Sequence, residues 1–408
     1  MDEIISNINH DIRSLHSELI ELRRDFHRHP ETGFNEFRTS KIVADYLEDL
    51  DIKVERNVAK TGVVGLLEGN GESADDDEHY GERNGKTLLL RADMDALPIK
   101  EKTGVDYSSE KPGVMHACGH DGHTAILLIV AKIIAKYRDS IAGNIKFVFQ
   151  PNEEDAGAEA MVEEGILNDP DVDGAIGLHL WSPLKTGEIG LKSGPLMAAS
   201  EYYNVKLQGP GGHGGAPHKT IDPVNTATSI INRLQTIETR NFDVINEPTL
   251  ITTCKLEASD FPIVISEDVS FAGSIRTLHD KMELVKAKFQ RIVKKEAEID
   301  GLDFEVDFKC GNRLLDNNLG MVKIVRKAIN LSSDSLIIKD KGIAVMLGED
   351  FSEFALRVPS VFYFVGTGNS SKGTDYPHHH PEFNIDEDSL GIAVKIQLIA
   401  ILSYFKLV

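Results

Sequence analysis

The sequence is poor in cysteine and in positive charge. Its 408 residues include three cysteines, Cys118, Cys254 and Cys310, and an odd, scattered set of this size does not make a disulfide framework. Lysine and arginine together number 44 against 65 aspartates and glutamates, which gives a net charge of −21. Because nucleic acids and anionic membranes bind basic surfaces, this charge argues against both as partners.

Long apolar runs are also absent from the sequence. The longest, AILLIVAKIIA, is too short to span a bilayer and contains Lys132. The N-terminal segment MDEIISNINHDIRSLHSEL is polar and amphipathic and has no apolar signal core. These features predict a reduced, cytoplasmic, soluble protein.

The pattern of helices and strands changes twice along a chain that is too long for one hydrophobic core. Strand-like runs alternate with helical patterns in residues 1–196 and 311–408, which predicts a discontinuous α/β domain with a mainly parallel central sheet. Residues 197–310 follow the order β-α-β-β-α-β, which predicts an inserted ferredoxin-like α+β domain. The charged segment 70–86 is best explained as a solvated connection between two strands, with a calcium loop as the alternative.

The segment HACGHDGHT, residues 116–124, concentrates side chains that bind metals. Cys118 and His120 are two residues apart and cannot share a helical face, and Gly119 favours a loop that leads into a helix. Thiolate and imidazole are both good ligands for zinc-like metals. For these two residues alone, a buried inert cysteine beside a surface histidine explains the pattern equally well.

Further candidate ligands follow predicted strands. Asp93 and Asp95 follow one strand, Glu153 and Glu154 follow another, and His179 ends a third. Adjacent glutamates are usually solvated, and a lone histidine ending an apolar strand is usually a core residue. In parallel α/β sheets, however, sites form beyond the carboxyl ends of the strands, so several such residues at strand ends favour a shared site.

The segment YPHHHPEF offers a last donor, since one of His378, His379 and His380 could complete the set. One thiolate, at least one carboxylate and three imidazoles are too many for one tetrahedral zinc with an open position. They suit two metal ions about 3.5–4 Å apart, an arrangement that favours hydrolysis. One glutamate would then bind metal while its neighbour acts as general base.

Nine motifs occur in the order of one known family: RADMDALP, HACGHDGHT, QPNEED, GLHL, GGHGGAPHKTIDP, GSIRTL, GEDFSEF, GTGN and HHPEF. The chain resembles the dinuclear-metal amidohydrolases and carboxypeptidases related to aminoacylase. Within them it is most similar to the branch of hippurate hydrolases and indole-acetyl-amino-acid hydrolases. The resemblance extends from about residue 20 to about residue 390.

The resemblance implies a role for each matching residue of the predicted catalytic domain, residues 1–196 and 311–408. Glu153 matches the general base, and Asp93 and Asp95 match groups that orient ligands. The last ligand of the family stands two residues before the proline, which selects the middle histidine of the three. The implied metal ligands are Cys118, His120, Glu154, His179 and His379.

The inserted domain is implied to act as a lid and a dimerisation domain. His213 matches a histidine that helps to stabilise the oxyanion, often in the partner subunit, and Arg276 matches an arginine that holds a substrate carboxylate. Taken alone, each is better explained as a surface residue. The segment FPIVISED, residues 261–268, departs from the family because it lacks the usual asparagine and proline. This departure leaves the metal site untouched, but the resemblance does not then imply the substrate contacts of the inserted domain or the identity of the substrate.

The implied activity is metal-dependent hydrolysis of amide bonds in N-acyl amino acids or short peptides, with release of a free amino acid. The implied cofactors are two divalent metal ions (Zn, Mn or Co). We also expect a homodimer or a dimer-based oligomer, with the strand EYYNVKLQG at an open sheet edge. Two alternatives are a cysteine amidase with Cys118 as nucleophile and a non-catalytic protein that binds a metal or small molecule.

Overall fold

The computed structural model describes residues 2–71, 85–333 and 335–408. Most of segment 70–86, with its predicted connection or calcium loop, lies outside the described residues. The α-helices of the described residues are α1 (Asp2–Ser14), α2 (His16–Arg28), α3 (Phe37–Glu48), α4 (His120–Ile134), α5 (Gly157–Glu163), α6 (Pro223–Arg240), α7 (Met282–Asp300), α8 (Leu319–Ser332), α9 (Ser352–Ala355) and α10 (Asp388–Tyr404). Short 3-10 helices lie at Ala135–Ser140, Glu153–Asp155, Pro217–Lys219 and Ser370–Lys372.

The strands of the described residues are β1 (Lys53–Val58), β2 (Gly62–Glu68), β3 (Thr87–Asp93), β4 (Asn144–Gln150), β5 (Gly174–Lys185), β6 (Glu188–Gly190), β7 (Gly194–Met197), β8 (Ala199–Gln208), β9 (Gly212–His213), β10 (Thr249–Glu257), β11 (Val264–Ile265), β12 (Asp268–Thr277), β13 (Asp303–Cys310), β14 (Leu315–Asn317), β15 (Ile337–Lys339) and β16 (Ser360–Gly368).

The chain packs as two units, and each is described by itself. The first consists of Met1–Gly194, Asp316–Ile343 and Asp350–Val408, and the second of Pro195–Leu315 and Ala344–Glu349. The expected boundaries, 196/197 and 310/311, thus differ by a few residues. The assignment of residues 344–349 to the first domain is wrong, because this segment bonds to the start of the insertion: the amide N of Val345 donates to the Leu196 carbonyl at 2.9 Å.

An eight-stranded sheet forms the centre of the first unit, in the order β1-β2-β4-β3-β5-β16-β6-β15. The inner strands β4, β3, β5 and β16 are mutually parallel. Three neighbouring pairs are antiparallel: β1 with β2, β2 with β4, and β6 with β16. Every residue of β3 is buried, as expected for a sheet covered on both faces. The prediction of an α/β fold with a mainly parallel central sheet is confirmed.

Helix α4 is the most buried helix of this unit. All of its residues except Lys132 are buried, which explains why the run AILLIVAKIIA is apolar all round without being a membrane span. No helix among the described residues combines the length and the apolar content that a membrane span requires.

Candidate ligands lie at or near the carboxyl ends of strands in the central sheet. β3 ends at Asp93, and β4 ends at Gln150, three residues before Glu153. His179 does not end its strand as expected, because β5 continues to Lys185 beside β16. The pairing of β5 with β3 stops at Gly177, however, so His179 lies just beyond the part of the sheet that these two strands share.

The second unit has the predicted β-α-β-β-α-β order, formed by β8, α6, β10, β12, α7 and β13. Its four strands make an antiparallel sheet in the order β10-β12-β8-β13. Apolar residues of α6 and α7, such as Ile230, Leu234 and Phe289, pack with Phe271 in the core of this unit. The expectation that EYYNVKLQG lies at an edge is wrong, because β8 pairs with β12 on one side and with β13 on the other.

Candidate metal centre

The turn before α4 separates Cys118 from His120. Gly119 has a φ of 89°, a left-handed conformation that glycine adopts without the strain of a side chain. Cys118 therefore precedes the helix while His120 is its first residue, and both are buried. Cys118 and His120, whose sequence pattern alone did not distinguish ligands from inert residues, thus present two donors from one turn.

The orientation of the His120 ring leaves one nitrogen for a ligand. Its Nδ1 lies 2.9 Å from the Asp95 carbonyl oxygen and 3.1 Å from Asp95 Oδ1. Since a carbonyl oxygen only accepts, Nδ1 carries a proton, and Nε2 is the nitrogen that is left to bind a metal. This Nε2 is buried and has no hydrogen-bond partner among the described residues. A metal ion is the partner that such a nitrogen fits.

The His179 ring is held in the same way. Its Nδ1 donates to the Leu180 carbonyl oxygen at 2.8 Å. The other nitrogen, Nε2, therefore carries the lone pair and lies 3.5 Å from Cys118 Sγ. Imidazole and thiolate therefore face each other as two ligands of one ion would.

The glutamate pair lies on a 3-10 turn, Glu153–Asp155, that follows β4. Left-handed residues bracket this turn, Asn152 with a φ of 52° and Ala156 with a φ of 65°. The two carboxylates have different nearest neighbours: Glu153 is 9 % exposed with Oε2 4.0 Å from His120 Nε2, and Glu154 Oε1 lies 3.1 Å from His379 Nε2. These different surroundings allow the two glutamates to have different roles.

The three consecutive histidines point in different directions. His378 Nε2 donates to the Leu180 carbonyl at 2.9 Å, and His380 stacks on Tyr376 with ring centroids 4.8 Å apart. His379 is the one beside Glu154. The geometry therefore supports the choice of His379 as the ligand.

These donors form overlapping groups among the described residues. In each group the ligand atoms all lie within 4.8 Å of one another. Four groups include predicted ligands: Cys118, His120 and His179; Asp93, His120 and His123; Cys118, Glu154 and His379; and His120, Glu153 and Glu154. All five predicted ligands are thus brought together, and they are more donors than a single tetrahedral ion needs.

Asp93 and Asp95 form hydrogen bonds around the candidate ligands. Asp95 accepts from His120 Nδ1 and, through Oδ2, from the amide N of Glu154 at 3.2 Å. Asp93 Oδ1 accepts from His123 Nδ1 at 2.6 Å, and the other His123 nitrogen accepts from the amide N of Leu180 at 2.9 Å. His123 therefore has no lone pair left for a metal, and its role in holding β5 against Asp93 was missed in the sequence.

The electrostatics of the cluster favour a cation. Burial opposes a charge on His120, but Asp93 and Asp95 outweigh it and raise the pKa of His120 to about 10. Burial also opposes ionisation of Asp93, yet the Arg91 guanidinium and two imidazoles hold its pKa well below the ordinary range. Burial lowers the pKa of His179, which keeps this ring neutral as a ligand must be. The acidic surroundings that favour a proton on His120 would equally favour a divalent ion bound to its Nε2.

The remaining predicted site residues belong to the second unit. His213 is exposed on the two-stranded β9–β11 sheet, and its Nδ1 accepts from the amide N of Gly215 at 2.9 Å, so its proton is on Nε2. Arg276 is half-buried on β12, where one guanidinium nitrogen donates to the Met346 carbonyl at 2.9 Å. Segment 261–268, which lacks the expected asparagine, forms the strand that pairs with the strand of His213.

The fold and the donor cluster define a class of protein, the metal-dependent hydrolases that act on amide bonds. The sequence profile of peptidase family M20/M25/M40 matches residues 89–402. The chain belongs to this family.

Individual relatives match over almost the whole chain. Thermostable carboxypeptidase 2 of Saccharolobus solfataricus is 37% identical over 395 residues, which cover 95% of each protein. The N-acyl-L-amino acid amidohydrolase of Geobacillus stearothermophilus is 38% identical and covers 74% of this chain and 78% of its own length. The crystal structure of Bacillus subtilis YXEP, described as a dinuclear metal binding peptidase, has a TM-score of 0.82 and 28% identity, and covers 97% of this chain and 100% of its own.

Proposed function

We propose that the chain hydrolyses N-acyl amino acids or short peptides at the amide bond before a C-terminal amino acid, and releases that amino acid. The observation that carries the proposal is the convergence of the five predicted ligands, one of which offers a buried nitrogen that bonds to none of the described residues. The carboxypeptidase and amidohydrolase relatives support the substrate class.

The residues that would hold two divalent ions are Cys118, His120, Glu154, His179 and His379. Thiolate, imidazole and carboxylate together suit zinc, manganese or cobalt, and we propose that one of these is the native metal. When bound, such ions polarise a carbonyl and lower the pKa of water.

Glu153 is proposed to move the proton. Its carboxylate is close to the ligand atoms but is not the one that pairs with His379, so it can accept a proton from water and donate it to the leaving amine nitrogen.

Two residues of the second unit are proposed to contact the substrate. The Nε2 proton of His213 is suited to donate to an oxygen that gains negative charge. The bond from Arg276 to Met346 fixes the orientation of a guanidinium that can pair with a substrate carboxylate.

A second candidate function rests on the contact of 3.5 Å between Cys118 Sγ and His179 Nε2, which also suits a thiol nucleophile and its base. Chelation separates the two functions. The purified protein is treated with a chelator, assayed on a panel of N-acyl amino acids and dipeptides, and then supplied with zinc, manganese or cobalt.

We expect activity to be lost in the chelator and restored by metal. Activity that survives chelation but is lost to an alkylating agent would support the cysteine amidase. If no substrate is hydrolysed with any of the metals, the result would support a non-catalytic protein that binds a metal or a small molecule.

We also infer that the protein is a homodimer formed through the second unit. The outer strands of its sheet are β10 and β13, and β10 exposes Leu250 and Leu256. An outer strand with exposed apolar residues is suited to pair with a second copy.

A further inference from the structure

The carboxylate of Asp350, in the motif GEDFSEF, is buried in the first unit and lies far along the chain from its partners. Its Oδ1 accepts from Arg91 NH2 at 2.9 Å and from Gln150 Nε2 at 2.8 Å. Its Oδ2 accepts from Gln150 Nε2 at 2.7 Å and from the amide N of Ala158 at 2.8 Å. In each of these four hydrogen bonds the partner is the donor and Asp350 the acceptor. A carboxylate, whose two oxygens both accept, therefore suits this position.

Two of these partners flank the glutamate turn. Gln150 is the last residue of β4 and Ala158 lies in the first turn of α5, so Asp350 ties together the two ends of the loop 151–157. This loop carries Glu153 and Glu154. Its backbone passes through two left-handed residues, which persist only where the surroundings hold them.

The third partner connects Asp350 to the ligands. Arg91 donates to Asp350, to Gln150 Oε1 at 2.8 Å and to Asp93 Oδ2 at 2.7 Å. Asp93 in turn orients His123. One guanidinium therefore links the glutamate turn to Asp93, the carboxylate that orients His123 beside the candidate ligands.

We propose that Asp350 is a positioning residue that fixes the glutamate turn, and that it acts on the reaction only through Glu153 and Glu154. Its effect on turnover rests on the proposed function, whereas its effect on the loop does not. Asparagine at this position has nearly the same shape, but it replaces one acceptor oxygen by an amino group that faces donors.

The first test is amide hydrogen exchange of the metal-free protein, with wild type and Asp350→Asn compared. Exchange in the peptide that covers residues 151–158 should rise about tenfold to a hundredfold, because a buried donor loses its acceptor. The matched control is Asp386→Asn, which removes another buried carboxylate, one that accepts from Thr186 and Asn369. It should leave this peptide unchanged.

The second test is kinetic. In the metal-loaded enzyme, Asp350→Asn should lower kcat by about tenfold to a hundredfold, with KM changed by less than about threefold. In a Glu153→Ala background the same substitution should lower kcat by a smaller factor than in wild type, since one of the two residues through which Asp350 acts is already removed.

Unchanged exchange in the loop together with an unchanged kcat would overturn the inference while leaving the proposed function intact. A wild-type enzyme that hydrolyses nothing would instead overturn the proposed function, and the exchange test would still decide the inference. If Asp350→Asn does not fold, Gln150→Met removes one end of the same contact and should raise exchange in the loop to a smaller extent. Equal exchange in that variant and in wild type would contradict the inference.

Discussion

Replacement of Glu153 by glutamine should stop turnover while metal stays bound. The side chain is 9 % exposed and its Oε2 lies 4.0 Å from His120 Nε2, so glutamine keeps the packing but cannot accept a proton. General acid–base catalysis contributes about a hundred- to ten-thousand-fold. This corresponds to about 3–5 kcal/mol in the barrier, so kcat should fall by at least about a hundredfold.

The assay pairs steady-state kinetics with elemental analysis of the same preparation. Glu154→Ala should lose metal and activity together, because its carboxylate is the one beside His379. Glu159→Gln, an exposed residue of α5, serves as the control and should change neither. Near-normal kcat in Glu153→Gln would show that the two glutamates have the reverse roles or that the reaction is a different one.

The remaining predictions concern three separate features. His379→Ala should lower bound metal, whereas His378→Ala should retain it because that ring bonds to a backbone carbonyl; elemental analysis of both variants tests this. His116 is buried, both of its nitrogens lack a hydrogen-bond partner in the described part of the chain, and burial lowers its pKa to about 4 from 6.5. The unfolded chain therefore binds a proton at His116 more readily than the folded chain does. The free energy of unfolding should fall by on the order of 3 kcal/mol as the pH falls from about 6.5 to 4. Denaturant titrations of metal-free protein measure this fall, and His116→Phe should remove it. Light scattering should give the mass of a dimer, and a monomer at assay concentration would also argue against a role for His213 in the partner's active site.

Local patterns in the sequence were sufficient to predict the architecture and the donors. Alternation of apolar strands and helices predicted the parallel sheet, and the position of Glu153 and Glu154 after a buried strand predicted where they would lie. The glycine between Cys118 and His120 indicated a turn, and the structure gives it a positive φ. These features depend on neighbours within a few residues, which is why the sequence alone reveals them.

The features that were missed depend on partners distant in sequence. Asp350 bonds to Arg91 across 259 residues and to Gln150 across 200, and no periodicity or spacing indicates such a contact. The edge assignment of β8 failed for a similar reason, since the order of strands in a sheet is set by tertiary packing rather than by the strand itself. His123 carried a signal, its place in HACGHDGHT, but its two hydrogen bonds decide against a ligand role.

The central claim is that this chain holds two divalent ions through Cys118, His120, Glu154, His179 and His379, and elemental analysis of metal-reconstituted protein tests it most directly. The donor groups and the dinuclear relative predict two ions per chain in wild type. His120→Ala should lower that content, because its buried Nε2 has no other partner among the described residues, and His123→Gln should retain most of it. Wild-type protein that binds no metal after reconstitution yet hydrolyses N-acyl amino acids at full rate would contradict the account.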